Sequence, residues 1–125
     1  MSVRVVDASA LGALVFGEPE AEKIAAMLSD GPLVAPVLLA FELASICLKK
    51  IKAHPARKAL IIKAFGYAEE LEIEHVDMDH ISVIALAHET GLTTYDASYL
   101  WLAMELGAGL VTLDKRLQRA AAKKK

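Results

Sequence analysis

Val3-Arg4-Val5-Val6-Asp7-Ala8-Ser9-Ala10-Leu11 is the stretch that decides the fold. A short β-branched run ends on a carboxylate, and an alanine- and leucine-rich stretch follows at once. β-Branched residues suit a strand, and Asp is a favoured residue at a helix start. The stretch therefore reads as a strand over Val3–Val6 feeding a helix over Ala8–Phe16, stopped by Gly17. The tripeptide Asp-Ala-Ser returns in Thr94-Tyr95-Asp96-Ala97-Ser98-Tyr99-Leu100. The same logic predicts a strand over Thr93–Tyr95 and a helix over Ala97–Leu106, closed by Gly107.

Outward from these two points the pattern repeats. Pro19 suits a first helical position, with a second helix over Glu20–Leu28. Gly31-Pro32 is a turn before a strand over Leu33–Ala35 that Pro36 ends. A long helix spans Val37–Lys52, His54-Pro55 breaks it, and another helix spans Ala56–Leu71. Ile73–Val76 reads as a strand, and Asp79 as the cap of a helix ending near Gly91. Leu110–Leu113 is a further strand and Lys115–Ala122 a last helix. Strands alternating with helices imply an α/β fold, a parallel sheet with helices on both faces. Right-handed crossovers then bring the C-terminal ends of all strands to one edge.

The 125 residues suffice for one domain with a real core, and we take 1–125 as a single unit whose tail, 120–125, frays. Hydrophobic residues make up 55 % of the chain, which leaves apolar surface for a partner. The formal net charge of −2 argues against coating nucleic acid by charge excess. Cys47 is the only cysteine, so no disulfide forms within the chain. The N-terminus lacks a signal-peptide core, and the most apolar stretch, Leu33–Leu48, is too short to span a bilayer. A cytoplasmic protein with no membrane partner is expected.

On this reading Asp7 ends the first strand, Asp96 the fourth and Asp114 the fifth. The ordinary role of one Asp at a helix start is capping. Three at three strand ends are harder to dismiss, because Ser, Thr or Asn would cap as well. Glu42 adds weight. It lies in Val37-Leu38-Leu39-Ala40-Phe41-Glu42-Leu43-Ala44-Ser45-Ile46-Cys47-Leu48, a helix apolar on nearly all sides and so expected to be buried. No basic residue stands three or four positions away. An unpaired buried carboxylate costs several kcal/mol, so Glu42 needs a distant partner such as Arg4, the solvent, or a function. Four converging carboxylates would raise one another's pKa values, and a hard divalent cation would relieve them. Oxygen ligands favour Mg²⁺ or Mn²⁺. Zinc does not fit, since Cys47 has no nearby His. His54, His75, His80 and His88 are scattered and read as surface residues.

With these residues in view the chain resembles the PIN domains, in particular the VapC-type toxin ribonucleases. The matching pieces are the stretch around Asp7, Pro36-Val37-Leu38-Leu39-Ala40-Phe41-Glu42, the stretch around Asp96, and Gly109-Leu110-Val111-Thr112-Leu113-Asp114-Lys115-Arg116-Leu117, in that order. The resemblance implies a three-layer α/β/α sandwich with strand order 3-2-1-4-5. It places the family's catalytic and metal-binding acids on Asp7, Glu42, Asp96 and Asp114, and supporting hydroxyls on Ser9 and Thr112. It implies Mg²⁺- or Mn²⁺-dependent cleavage of an RNA substrate, a cognate antitoxin and a homodimer. Arg116 stands where some members carry a further acid, which bears on the second metal site.

An acidic pocket repels RNA, so the strand must meet positive charge elsewhere. Lys49, Lys50, Lys52, Lys115 and Arg116 are the nearest candidates, followed by Arg57, Lys58, Lys63 and Arg119; solvated surface is the ordinary role of each. Tyr95 could stack on a base, whereas Trp101 fits core packing. Rival readings are a receiver-like phosphoacceptor using Lys115, a haloacid-dehalogenase-type phosphatase, and a degenerate PIN module used only for assembly. The first leaves Glu42 without a role. The second wants an Asp where Ser9 stands.

Overall fold

The computed structural model describes residues 2–124. Strand β1 (Arg4–Val6) leads into helices α1 (Ala8–Val15) and α2 (Ala21–Leu28). Then come β2 (Leu33–Pro36), α3 (Leu39–Ala53), a 3-10 turn (Pro55–Arg57) and α4 (Lys58–Glu70). The chain continues through β3 (Ile73–Val76), α5 (His80–Thr90), α6 (Thr94–Leu106), β4 (Gly109–Val111) and α7 (Lys115–Lys123). Pro19 lies in the turn before α2 rather than inside it.

All strand pairs are parallel, in the order β3-β2-β1-β4. Arg4 is aligned with Leu33 on one side and Gly109 on the other, which sets β1 at the centre. From β1 to β3 the chain steps one way, with α1 packed on α2, α3 and α4. It then crosses to the opposite edge through α5 and α6, and α6 packs on β1, β2, β4 and α7. Because crossovers are right-handed, reversing the step puts the second helix group on the other face. The three-layer α/β/α sandwich follows. Val5, Val6, Val34, Ala35 and Val111 form its buried middle, between Leu11, Ile24, Leu39 and Leu43 on one side and Tyr99, Leu100, Leu102 and Leu117 on the other.

The structure departs from the sequence reading in several places. Thr93–Tyr95 is not a strand, so among the described residues four strands stand where five were expected and the order ends at β4 beside β1. Gly91 ends α5 in the left-handed region at φ 76°, and Thr93 already caps α6, its Oγ1 accepting from the Asp96 N–H at 3.1 Å. Two residues, Leu92 and Thr93, cannot pair with a sheet, and the β-prone Thr94 and Tyr95 join the helix. Secondly, α3 is not buried all round. Leu39, Leu43 and Cys47 bury one stripe at i, i+4 spacing, while Phe41 is 82 % exposed and Leu48 51 %. In the tail expected to fray, α7 is helical to Lys123 with Ala120 buried; Lys125 lies outside the described residues.

Candidate active site

Between β1 and β4 the direction of chain progression reverses. In an open parallel sheet that is where a crevice forms beyond the strand ends. A cleft of about 520 Å³ lies there, and Asp7, Glu42, Asp96 and Asp114 all line it.

Asp7 follows β1 and is 4 % exposed. It caps α1: Oδ1 accepts from the Ala10 N–H at 3.0 Å and from the Ser9 hydroxyl at 2.8 Å. The Thr112 hydroxyl donates to Oδ2 at 2.5 Å. These hydroxyls also hold the neighbouring loop, since Ser9 Oγ accepts from the Leu113 N–H and Thr112 Oγ1 from the Asp114 N–H, both at 3.0 Å. The two backbone donors are thereby taken off the sheet, which ends β4 at Val111 rather than at Leu113. Ser9 and Thr112 thus stitch the β1–α1 turn to the β4–α7 turn. Asp114 caps α7 through Oδ1, which accepts from the Leu117 N–H at 2.8 Å.

The two Asp-Ala-Ser tripeptides differ in register. Asp7 is an N-cap, whereas Asp96 is the third residue of α6, three after its cap Thr93. Ser98 donates back to the Thr94 carbonyl at 2.8 Å and plays no part comparable to Ser9. Capping explains the places of Asp7 and Asp114. It does not explain Asp96, which keeps its carboxylate in the cleft over the positive end of α6.

Glu42 sits in the first turn of α3 and is half-buried. Its partner is not Arg4, which pairs with Asp30 at 3.1 Å. The Tyr99 hydroxyl donates to Glu42 Oε1 at 2.6 Å. Tyr99 is 1 % exposed and also lines the cleft, a residue the sequence reading passed over. The available signal was a tyrosine opening the apolar run Tyr99-Leu100-Trp101-Leu102-Ala103-Met104, because a buried phenol usually finds a partner.

The electrostatics match this crowding. Burial pushes the Asp7 carboxyl up against the lowering by Thr112, Ala10 and Ser9, and the Asp114 charge adds to the rise. Burial raises Glu42 too, opposed by the Tyr99 hydrogen bond and reinforced by Asp96 and Asp7. Asp96 is raised by burial, Asp114 and Asp7, with Arg116 and Thr93 pulling the other way. Burial and Glu42 push the Tyr99 phenol far up, so it remains a donor.

Of the basic residues, Lys49 lines the cleft, and Arg116 acts on Asp96 from the rim while donating to the Gly91 carbonyl at 2.8 Å. Lys50 is paired with Glu18 and lies over the Phe16 ring, 5.6 Å from its centre. Lys52, Lys115, Arg57, Lys58, Lys63 and Arg119 are exposed and do not line the cleft. Tyr95 is exposed on the cleft wall, Trp101 packs against the core, and the four histidines are exposed.

The cleft offers oxygen donors and neither sulfur nor imidazole, the set a hard cation takes. Among the described residues no three acidic, histidine or cysteine side chains stand close enough together to hold a metal ion in this arrangement.

Comparison with known proteins agrees with this layout. The PIN domain profile matches residues 4–123. Ribonuclease VapC3 of Pyrobaculum aerophilum is 31 % identical over 118 residues, covering 90 % of each chain. The crystal structure of PAE2754 from Pyrobaculum aerophilum superposes with a TM-score of 0.77 at 27 % identity, over 95 % of this chain and 84 % of that one. With the profile spanning nearly its whole length and a VapC-type relative aligned along nine-tenths of it, the chain belongs to the PIN-domain family.

Proposed function

We propose that the protein is a divalent-metal-dependent endoribonuclease, the toxin of a toxin–antitoxin pair. The observation that carries this is the convergence of Asp7, Glu42, Asp96 and Asp114 on one cleft at the crossover point of the sheet. The similarity to a protein named as a ribonuclease supports RNA as the substrate class. A receiver-like role finds less support, because Lys115 is exposed and does not line the cleft.

Asp7, Glu42, Asp96 and Asp114 would hold Mg²⁺ or Mn²⁺, which supplies an activated water and neutralises charge on the scissile phosphate. The remaining work belongs to the chain. Tyr99 holds the Glu42 carboxylate in place. Ser9 and Thr112 lock Asp7 and carry the loop to Asp114. Lys49 and Arg116 offer positive charge at the edge of an acidic site. Tyr95, 62 % exposed, is placed to stack on a base.

RNA cleavage with Mn²⁺, with and without chelator, tests the reading. Asp7→Asn, Asp96→Asn and Asp114→Asn are each expected to lose cleavage by about a hundredfold or more while remaining folded. Unchanged cleavage in any two of them would refute a shared site.

The partners we propose are an RNA substrate, a cognate antitoxin and a second copy of the chain, in the cytoplasm. No helix among the described residues is long and apolar enough to cross a membrane. Phe41 and Leu48 on α3, Leu60, Ile62 and Tyr67 on α4, and Ile81 and Ile84 on α5 are exposed apolar side chains available for such contacts. Light scattering at micromolar concentration is expected to give twice the 13.4 kDa chain mass. A monomer would argue against the homodimer.

A further inference from the structure

Helix α7, Lys115-Arg116-Leu117-Gln118-Arg119-Ala120-Ala121-Ala122-Lys123, carries four cations and no acid in a chain whose net charge is −2. Leu117 and Ala120 face the core. Arg116, Arg119 and Lys123, at i, i+3 and i+7, fall on one side of the helix. They line a hollow of about 320 Å³ whose other wall is the C-terminal end of α5 and the loop after it, Glu89 to Leu92. Lys124 also lines it but is committed to Glu89 at 2.6 Å. Among the described residues neither Arg119 nor Lys123 stands within ion-pair distance of an acid.

This hollow shares a rim with the acidic cleft. Asp114 lines the cleft and Arg116 the hollow, two residues apart and so separated by at most about 7 Å of chain. On the facing side Leu92, in the loop before α6, lines the hollow, while Tyr95 and Asp96, in the first turn of α6, line the cleft. Arg116 is fixed at the boundary by its hydrogen bond to the Gly91 carbonyl, which uses one of its five N–H donors. Its charge is felt by Asp96.

We infer that the α5–α7 hollow is a backbone-binding track, in which Arg116, Arg119 and Lys123 hold successive phosphates of the substrate RNA as the strand leaves the acidic cleft. The inference rests on the ribonuclease reading and adds where the strand runs. A cleft walled by four carboxylates repels a polyanion, so affinity must come from cations just outside it. Phosphate contacts of this kind position the strand without reading its sequence.

Fluorescence anisotropy of a labelled single-stranded 20-nucleotide RNA tests the track, in an Asp96→Asn background with Mn²⁺ present so that the strand is not cut. Adding Arg119→Ala and Lys123→Ala is expected to weaken binding about tenfold at 0.1 M salt. The slope of log Kd against log salt is expected to fall by about 1.4, since each phosphate contact on a single strand contributes about 0.7. Lys23→Ala, the same loss of one charge at an exposed position of α2, is expected to change Kd less than Arg119→Ala does. The charge-conserving pair Arg119→Lys and Lys123→Arg is expected to restore affinity, which repair of a merely structural defect would not require. An unchanged Kd and salt slope in the double alanine variant overturn the track. If the parent protein cleaves RNA, that failure leaves the ribonuclease reading standing; if the parent neither binds nor cleaves RNA, both fall.

Discussion

Tyr99 lines the acidic cleft and holds one of its carboxylates without itself being acidic. Its ring is buried among core side chains and its hydroxyl reaches Glu42, 57 positions away in sequence. Replacing it by Phe keeps the packing and removes the 2.6 Å hydrogen bond. Because that bond favours the charged carboxylate, its loss raises the Glu42 pKa further. Tyr99→Phe is therefore expected to move the acid limb of the pH–rate profile for RNA cleavage to higher pH, with kcat reduced and the melting temperature lowered by the equivalent of about 1 kcal/mol. A pH profile superimposable on that of the parent would show that Glu42 is held by other means. Ser9 and Thr112 act on Asp7 in a comparable way, but their bonds also fix a turn, so substitutions there mix positioning with folding.

At the scale of the elements, what the sequence made legible follows from where each signal is local. Asp7 and Asp114 were readable because strand, carboxylate and helix follow one another along the chain. Glu42 stood out as a charge in an apolar helix, yet its partner could not be read, since no local pattern announces a contact with Tyr99. The supposed burial of α3 failed because apolar content does not say how many neighbours a helix has: α1 and α4 cover part of it, and Phe41 and Leu48 face outward. Thr93–Tyr95 misled for a different reason. β-Propensity measures fit to a pleated surface, and here the three-residue link between α5 and α6, Gly91 to Thr93, leaves no such surface. Thr93 is the device that starts α6 and places Asp96. Thr93→Ala is expected to cost about 1 kcal/mol of stability through loss of the N-cap and to reduce cleavage by loosening the first turn. Thr93→Ser, which keeps the capping oxygen, is expected to retain both; equal loss in the two variants would mean that the cap is not what holds Asp96.

For the molecule as a whole, the acidic cleft sets function against stability. Asp7, Glu42 and Asp96 all have carboxyls raised above their ordinary values of 3.8, 4.5 and 3.8 by burial and by one another. An acid whose folded pKa is raised binds its proton more tightly when folded. Its charge therefore costs stability in full above the folded pKa, and the cost disappears as the pH falls below the unfolded value. Asp79, lowered by its bonds to Ser82, works in the opposite sense, but only as the pH falls below its ordinary value. Without metal the protein is expected to melt higher as the pH is brought down from neutral toward those ordinary carboxyl values than at neutral pH itself. Mg²⁺ or Mn²⁺ should reverse that order, since a ligand bound only by the folded state stabilises it, by about 2.7 kcal/mol at a hundredfold excess over Kd. Glu42→Gln sharpens the comparison, because the amide oxygen still accepts from Tyr99 while the charge is gone. Melts of the two proteins, with and without metal, are expected to show the variant at least as stable as the parent without metal, less stabilised by metal, and unable to cleave RNA. A variant destabilised without metal and shifted by metal as much as the parent would place Glu42 among the scaffold residues, with its bond to Tyr99 serving the fold alone.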